Sequence, residues 1–138
     1  MTQLNELVGA QKRVVSISQH ATVRDAAKSM AEANVGCAAI MDGAKLVGLF
    51  TERDILKRIL LKNLDVDKVL IGDVMTRELI CAGALQSAND ARVLMERHHI
   101  RHLPVLNDEA ELVGVLSIRD LVRDQVSEMR NYIAMHEG

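Results

Sequence analysis

"LVGLFTERDIL" at residues 46–56 returns as "LVGVLSIRDLV" at residues 112–122. In both, an apolar run with one glycine (Gly48, Gly114) meets a hydroxyl residue (Thr51, Ser117), then an arginine (Arg53, Arg119) and an aspartate (Asp54, Asp120). Over 45–55 and 111–121, five of eleven residues are identical. Self-similarity of this kind sets the architecture before any single element is assigned. Moving backward, with one residue inserted near Asn107, Thr22 meets Ser87, Asp25 meets Asp90, Ala26 meets Ala91, Met30 meets Met95 and Ile40 meets Val105. The repeated unit spans about fifty residues.

Periodicity changes in the same order within each copy. "RVVSI" (13–17) is a short β-branched run, and "TVRDAAKSMAEAN" (22–34) has apolar positions at helical spacing. "CAAIM" (37–41) and "KLVGLF" (45–50) read as strands around a turn at Asp42-Gly43, and "TERDILKRILLK" (51–62) reads as a helix. The second copy has "ELICA" (78–82), "SANDARVLMERHH" (87–99), "HLPVL" (102–106), "ELVGVL" (111–116) and a helix from Ser117. The pattern predicts a mixed α/β fold of the α+β kind, built from two β-α-β-β-α units. All four main helices open with a hydroxyl residue and an acid three positions later: Thr22/Asp25, Thr51/Asp54, Ser87/Asp90 and Ser117/Asp120.

Composition narrows the function classes. At 138 residues and net charge −2, with Lys and Arg scattered, the chain has the length of one domain and lacks the basic stripe of a duplex-binding surface. Phe50 and Tyr132 are the only aromatic side chains, too few to stack single-stranded bases. "MTQLNELVGAQKR" lacks the cationic-then-apolar order of a signal peptide, and no run is long enough to span a bilayer, so a cytoplasmic location is expected, with no membrane or nucleic-acid partner. Cys37 and Cys81 are read as free buried thiols, and Met30, Met41, Met75, Met95 and Met129 as core filler. No nucleophile with a base, Walker loop or nucleophile elbow is present, so no catalytic residue is assigned and the chain is read as a non-enzyme. The imidazoles of "HHIRH" (98–102) are better explained by a helix end and the following strand than by a metal, so no metal site is assigned either.

Capping alone could explain the hydroxyl–acid pairs. Two features of the pairs at Thr51 and Ser117 ask for more: each lies beyond a glycine-bearing strand, where a helix N-terminus presents N–H groups suited to phosphate, and each carries a matching arginine that capping does not need. Thr22 and Ser87 are read as caps only.

With "DVMTRE" (73–78), "IRHLPVL" (100–106), "VGLFTERD" and "VGVLSIRD", the chain resembles a tandem pair of cystathionine-β-synthase (CBS) domains, the arrangement called a Bateman module. The resemblance covers roughly residues 12 to 126. It implies two CBS repeats, 12–64 and 72–126, packed as a pseudo-twofold pair within one module (1–138), with a short N-terminal helix and a C-terminal helical extension over 127–138. It also implies a stand-alone regulatory or energy-sensing module without catalytic cofactor, binding AMP, ADP, ATP, NAD or S-adenosylmethionine in two clefts between the repeats. The alternative is a ligand-free interaction or dimerisation scaffold of the same fold.

Carried over residue by residue, the resemblance puts Asp54 and Asp120 on ribose hydroxyls and Thr51 and Ser117 on phosphate. A carboxylate suits a vicinal diol, which offers two donors. The first cleft would comprise Thr51, Arg53, Asp54, Leu79, Ile80, Arg101, His102, Leu103 and Pro104. The second would comprise Val14, Val15, Gly36, Cys37, Ala38, Ala39, Ser117, Arg119 and Asp120. Arg101-His102 stands where the other repeat has Gly36-Cys37, so the clefts are expected to differ, with the cations chiefly at Asp54. The family resemblance implies a homodimer and an unidentified protein target. Leu121, Val122, Val126, Met129 and Ile133 form an apolar stripe on the last helix, fit for a dimer or partner contact or for covering the domain.

Overall fold

The computed structural model describes residues 2–9 and 14–137. Its elements in chain order are α1 (Leu4–Gly9), β1 (Ser16–Ser18), α2 (Val23–Ala33), β2 (Cys37–Asp42), β3 (Lys45–Thr51), α3 (Glu52–Asp54), α4 (Ile71–Val74), β4 (Ala82–Gly83), α5 (Ala88–His98), β5 (His102–Leu106), β6 (Leu112–Ser117) and α6 (Ile118–Glu137). Two three-stranded sheets, β1-β2-β3 and β4-β5-β6, share one topology: a parallel pair joined through a crossover helix, then an antiparallel hairpin. This is the α+β arrangement of two β-α-β-β-α units expected from the repeat.

The chain divides into two compact units, and the division does not simply follow the order of the repeats. The unit built on β4-β5-β6 also contains α1, whose Leu4 and Val8 are buried with Ala91, Met95, Leu103, Val105, Leu116 and Leu121. The unit built on β1-β2-β3 contains α4, whose Ile71 is buried with Met75, Val23, Ala26, Met30, Ile40 and Phe50. The two short helices dock alike. Leu4 and Asn5 donate to the carbonyls of Gln86 and Ala84 (2.9 and 2.8 Å), as Ile71 and Gly72 donate to those of Ala21 and Gln19 (both 2.8 Å). The extra N-terminal helix therefore fills, in the second repeat's unit, the position that α4 fills in the first.

Two outer strands differ from expectation. Arg13 lies outside the described residues, and β1 occupies Ser16–Ser18, although the Val15 carbonyl still receives the Ala39 N–H at 2.8 Å. The strand expected over 78–82 is reduced to Ala82–Gly83, paired with Val105 and Leu106. An outer strand has one neighbour, so the apolar Leu79-Ile80 signals burial and not ladder pairing. The Gln86 side chain then accepts the Gly83 N–H at 2.7 Å.

The helix expected over 51–62 is α-helical only through Asp54 and continues as a π-helix over Ile55–Leu60. Its wider turns are closed by bonds such as Leu61 N–H to the Leu56 carbonyl, 3.1 Å. Ile59 turns into the core, whereas Leu56, Leu60 and Leu61 are exposed.

The inserted residue near Asn107 lies in the second hairpin. The first hairpin turns through Gly43 and Ala44, with Gly43 at φ 59°. The second has a longer loop in which Ala110 takes φ 61° and the Asn107 carboxamide oxygen accepts the N–H groups of Glu109 (3.0 Å) and Glu111 (2.9 Å). Gly48 has a packing role. A Cβ there would stand 2.5 Å from Met75 Sδ and 3.0 Å from the Thr76 carbonyl, because residues 75–76 cross β3 and Leu49 exchanges backbone bonds with Thr76.

Candidate functional site

All four hydroxyl–acid pairs form reciprocal capping boxes. Thr22 and Ser87 accept from the N–H of Asp25 and Asp90, whose carboxylates accept the cap N–H in return (3.2 and 3.1 Å). Thr51 and Asp54 do the same, with Thr51 N–H to Asp54 Oδ2 at 2.9 Å, and Ser117 N–H meets Asp120 Oδ2 at 2.8 Å. Bond geometry therefore does not separate the pairs expected to bind ligand from those expected only to cap. Burial does: Asp25 and Asp90 are exposed, while Asp54 and Asp120 are drawn in, the Asp54 side chain to 13% exposure.

Sheet register explains what surrounds each inward pair. Thr51 ends β3 opposite Cys37, and the Glu52 N–H donates to the Gly36 carbonyl at 3.0 Å, so Gly36, Cys37, Thr51 and Asp54 meet at one sheet end. Cross-strand partners share a face. The Cys37 thiol is accordingly buried beside Asp54, and its pKa is pushed up to about 12, first by burial and then by the carboxylate's charge. In the other unit, Ser117 lies opposite His102 and the Ile118 N–H donates to the Arg101 carbonyl at 3.0 Å. Arg101, His102, Ser117 and Asp120 therefore meet at one sheet end of this unit. Arg53 and Arg119 are both exposed.

The expected apolar walls separate by strand face. Ala38 and Leu103 belong to the buried cores of their own units. Ala39 and Pro104 point to the opposite strand faces and are also closed to solvent. Val14 is exposed, and Val15, Leu79 and Ile80 are half-buried. An open depression of about 590 Å³ lined by Arg24, Ala27, Lys28 and Val66 holds none of the expected site residues. Among the described residues no group of three metal-ligating side chains occurs, and no helix is long and apolar enough to cross a membrane.

Two residues escaped the sequence reading. Arg58 Nε stands 3.5 Å from Asp54 Oδ1, while its Nη1 donates to the Val74 carbonyl at 3.0 Å. The matching position of the second repeat is Asp124, whose Oδ1 accepts from Thr2 Oγ1 at 3.0 Å and whose Oδ2 is buried without a hydrogen-bond partner among the described residues. The four-residue spacing from the key aspartate was the available signal for both.

Comparison with known proteins agrees with this arrangement. The CBS domain family matches twice, over residues 5–61 and 71–127. The chain is 34% identical over 115 residues to the CBS domain-containing protein YhcV of Bacillus subtilis, covering 83% of this chain and 81% of that protein. Among solved structures, it is similar to the CBS domain protein PAE2072 from Pyrobaculum aerophilum complexed with AMP. That match has a TM-score of 0.78 and 34% identity, covering 86% of this chain and 89% of the other. It is also similar to the CBS domain pair of protein MJ0100 in complex with 5-methylthioadenosine and S-adenosyl-L-methionine. There the TM-score is 0.82 and the identity 26%, with 93% and 98% covered. With two matched repeats, each carrying its own three-stranded sheet and half-buried hydroxyl–acid pair, the chain belongs to the CBS domain family as a tandem pair.

Proposed function

We propose that this CBS pair is a regulatory module, not an enzyme, that binds adenosine-containing ligands at Asp54 and Asp120. The candidates are AMP, ADP and ATP, with NAD or S-adenosylmethionine as further members of the class. The carrying observation is the selective burial of these two acids: a carboxylate needed only as a cap works at the surface, as Asp25 and Asp90 do. The AMP, 5-methylthioadenosine and S-adenosyl-L-methionine held by the two similar structures support the ligand class. Each carboxylate would accept from ribose hydroxyls, with Thr51 or Ser117 and the adjoining N–H groups toward phosphate and Val14, Val15, Leu79 and Ile80 as apolar contacts for the base.

Regulation follows from differential affinity. A ligand shifts a conformational equilibrium only by as much as it binds one state better than the other, and a reporter of nucleotide level needs only micromolar affinity, about −8 kcal/mol. The altered state would be passed on through self-association as a homodimer or through a protein target.

Thermal unfolding with AMP, ADP, ATP, NAD and S-adenosylmethionine, on the wild type, Asp54→Ala and Asp120→Ala, tests the assignment. A ligand at a hundredfold excess over Kd stabilises by about 2.7 kcal/mol, and each substitution should remove the response of its own site. A full response in both variants would overturn the assignment. A second reading, a scaffold that binds no nucleotide, draws on the identical capping geometry of all four pairs; it predicts no response from any ligand in the wild type.

A further inference from the structure

From Val122 to His136, α6 buries no side chain, and only Asp124 is as much as half-buried. Leu121 is its last core contact. A helical stretch of this length is marginal in water without a partner. Val122 (54% exposed), Val126, Met129 (60%) and Ile133 follow spacings of four, three and four, which line one face of a helix as a coiled-coil seam does. The other side of the helix is already engaged: Thr2 Oγ1 donates to Asp124 Oδ1 at 3.0 Å and to Glu128 Oε1 at 3.2 Å.

We propose that this seam pairs with the same seam of a second copy of the chain, the two α6 helices running parallel. The inference rests on the self-association proposed above and adds its surface and orientation. Charge selects the orientation. Arg123 and Arg130 line one edge of the seam, while Gln125 and Tyr132 line the other. In an antiparallel pair each edge faces its own copy, which sets arginines against arginines. In a parallel pair the arginine edge faces the opposite edge, so guanidinium groups meet Gln125 and the Tyr132 ring, a favourable cation–π partner. Tyr132 is held for this contact by stacking on His136, with ring centroids 4.0 Å apart and the Tyr132 carbonyl 2.8 Å from His136 Nδ1. Length fits a second copy as occupant: the unburied stretch from Val122 to His136 is about 22 Å long at 1.5 Å per residue, and its seam from Val122 to Ile133 runs for three turns.

Disulfide trapping in the full chain tests the orientation. Val122→Cys and Ile133→Cys, prepared separately, should each give a covalent dimer under mild oxidation, because identical seam positions meet in a parallel pair; the wild type, with its two native thiols, is the control. Val126→Asp with Met129→Asp should convert the protein to monomer in sedimentation velocity while circular dichroism shows the fold retained. A dimer in which neither cysteine cross-links, or one that survives the double substitution, overturns the α6 seam and leaves self-association standing. A wild type that remains monomeric up to about 100 µM, about a hundred times a micromolar Kd, overturns both.

Discussion

Asp54 and Arg58 face each other one helical turn apart, 3.5 Å from Oδ1 to Nε, and the guanidinium is tied in addition to the Val74 carbonyl. The second repeat has no such cation, because Asp124 stands at the matching place below Asp120. Arg58 is nearly half exposed, so its ion pair is screened by solvent and contributes little on its own, while the bond to Val74 pins α4. Arg58→Ala should lower stability by about 1 kcal/mol, the scale of one hydrogen bond plus a weak ion pair. Urea unfolding measures it, and a loss that persists in high salt identifies the Val74 bond as the larger part.

Ala110 occupies the left-handed region in the second hairpin, at φ 61°, where the first hairpin has Gly43 at φ 59°. An L-residue with a Cβ costs about 1–2 kcal/mol there, and glycine returns part of that gain through its freer unfolded chain. Ala110→Gly should therefore stabilise the protein by about 0.5 kcal/mol, seen as a rise in Tm. The reverse change, Gly43→Ala, should lower it. Equal and unchanged Tm values would show that neither loop is strained.

Much of this fold was legible from a few positions. The four hydroxyl–acid caps located the helix starts, and the phrase around Gly48 and Gly114 located the hairpins, because local capping bonds and strand periodicity operate within a few residues. What was lost depended on distant chain. The assignment of α1 to the second repeat's unit rests on Leu4 and Val8 reaching a core more than eighty residues away in sequence, as the Gln86 partner of Leu4 shows. The π-helix arises in the run ILKRILL, which carries no marker distinguishing 3.6 from wider turns. At the site, Thr51, Asp54, Ser117 and Asp120 were readable as pairs. Their inward position was not, since burial is a property of the packed chain. Hairpin register sets His102 opposite Ser117, a pairing across fifteen residues that no local signal marks.

Gly48 appeared in the sequence as part of a phosphate-facing strand end, but its neighbours are Met75 and the Thr76 carbonyl. Met75 can move its sulfur, whereas the Thr76 carbonyl is fixed by two backbone bonds to Leu49, 3.0 and 2.9 Å. Gly48→Ala should thus cost about 1–3 kcal/mol, and Gly48→Val more, through overpacking. Pairing Gly48→Ala with Met75→Ala separates the contacts by chemical denaturation: recovery would assign the clash to the methionine, and its absence to the carbonyl.

The last prediction concerns pH. Cys37 is buried beside Asp54, and its thiol is pushed up from the ordinary cysteine value to about 12, chiefly because burial penalises the thiolate. Below pH 9 the thiol is protonated in both the folded and the unfolded chain, and its full contribution to stability is present. Between pH 9 and pH 12 the unfolded chain releases a proton that the folded chain keeps. Unfolding then binds fewer protons on the unfolded side, and stability falls with rising pH by up to about 1.4 kcal/mol per unit. Lysines and Tyr132 titrate in the same range, so the informative quantity is the difference between wild type and Cys37→Ala. That difference should shrink as pH rises from 9 toward 12, because the alanine variant has no thiolate to expel. Cys81, half-buried and raised only by burial, should be alkylated by iodoacetamide before Cys37 in the folded protein, and mass spectrometry of a time course gives the order. Equal rates would place Cys37 in contact with solvent, and with it the sheet end at which Thr51 and Asp54 meet.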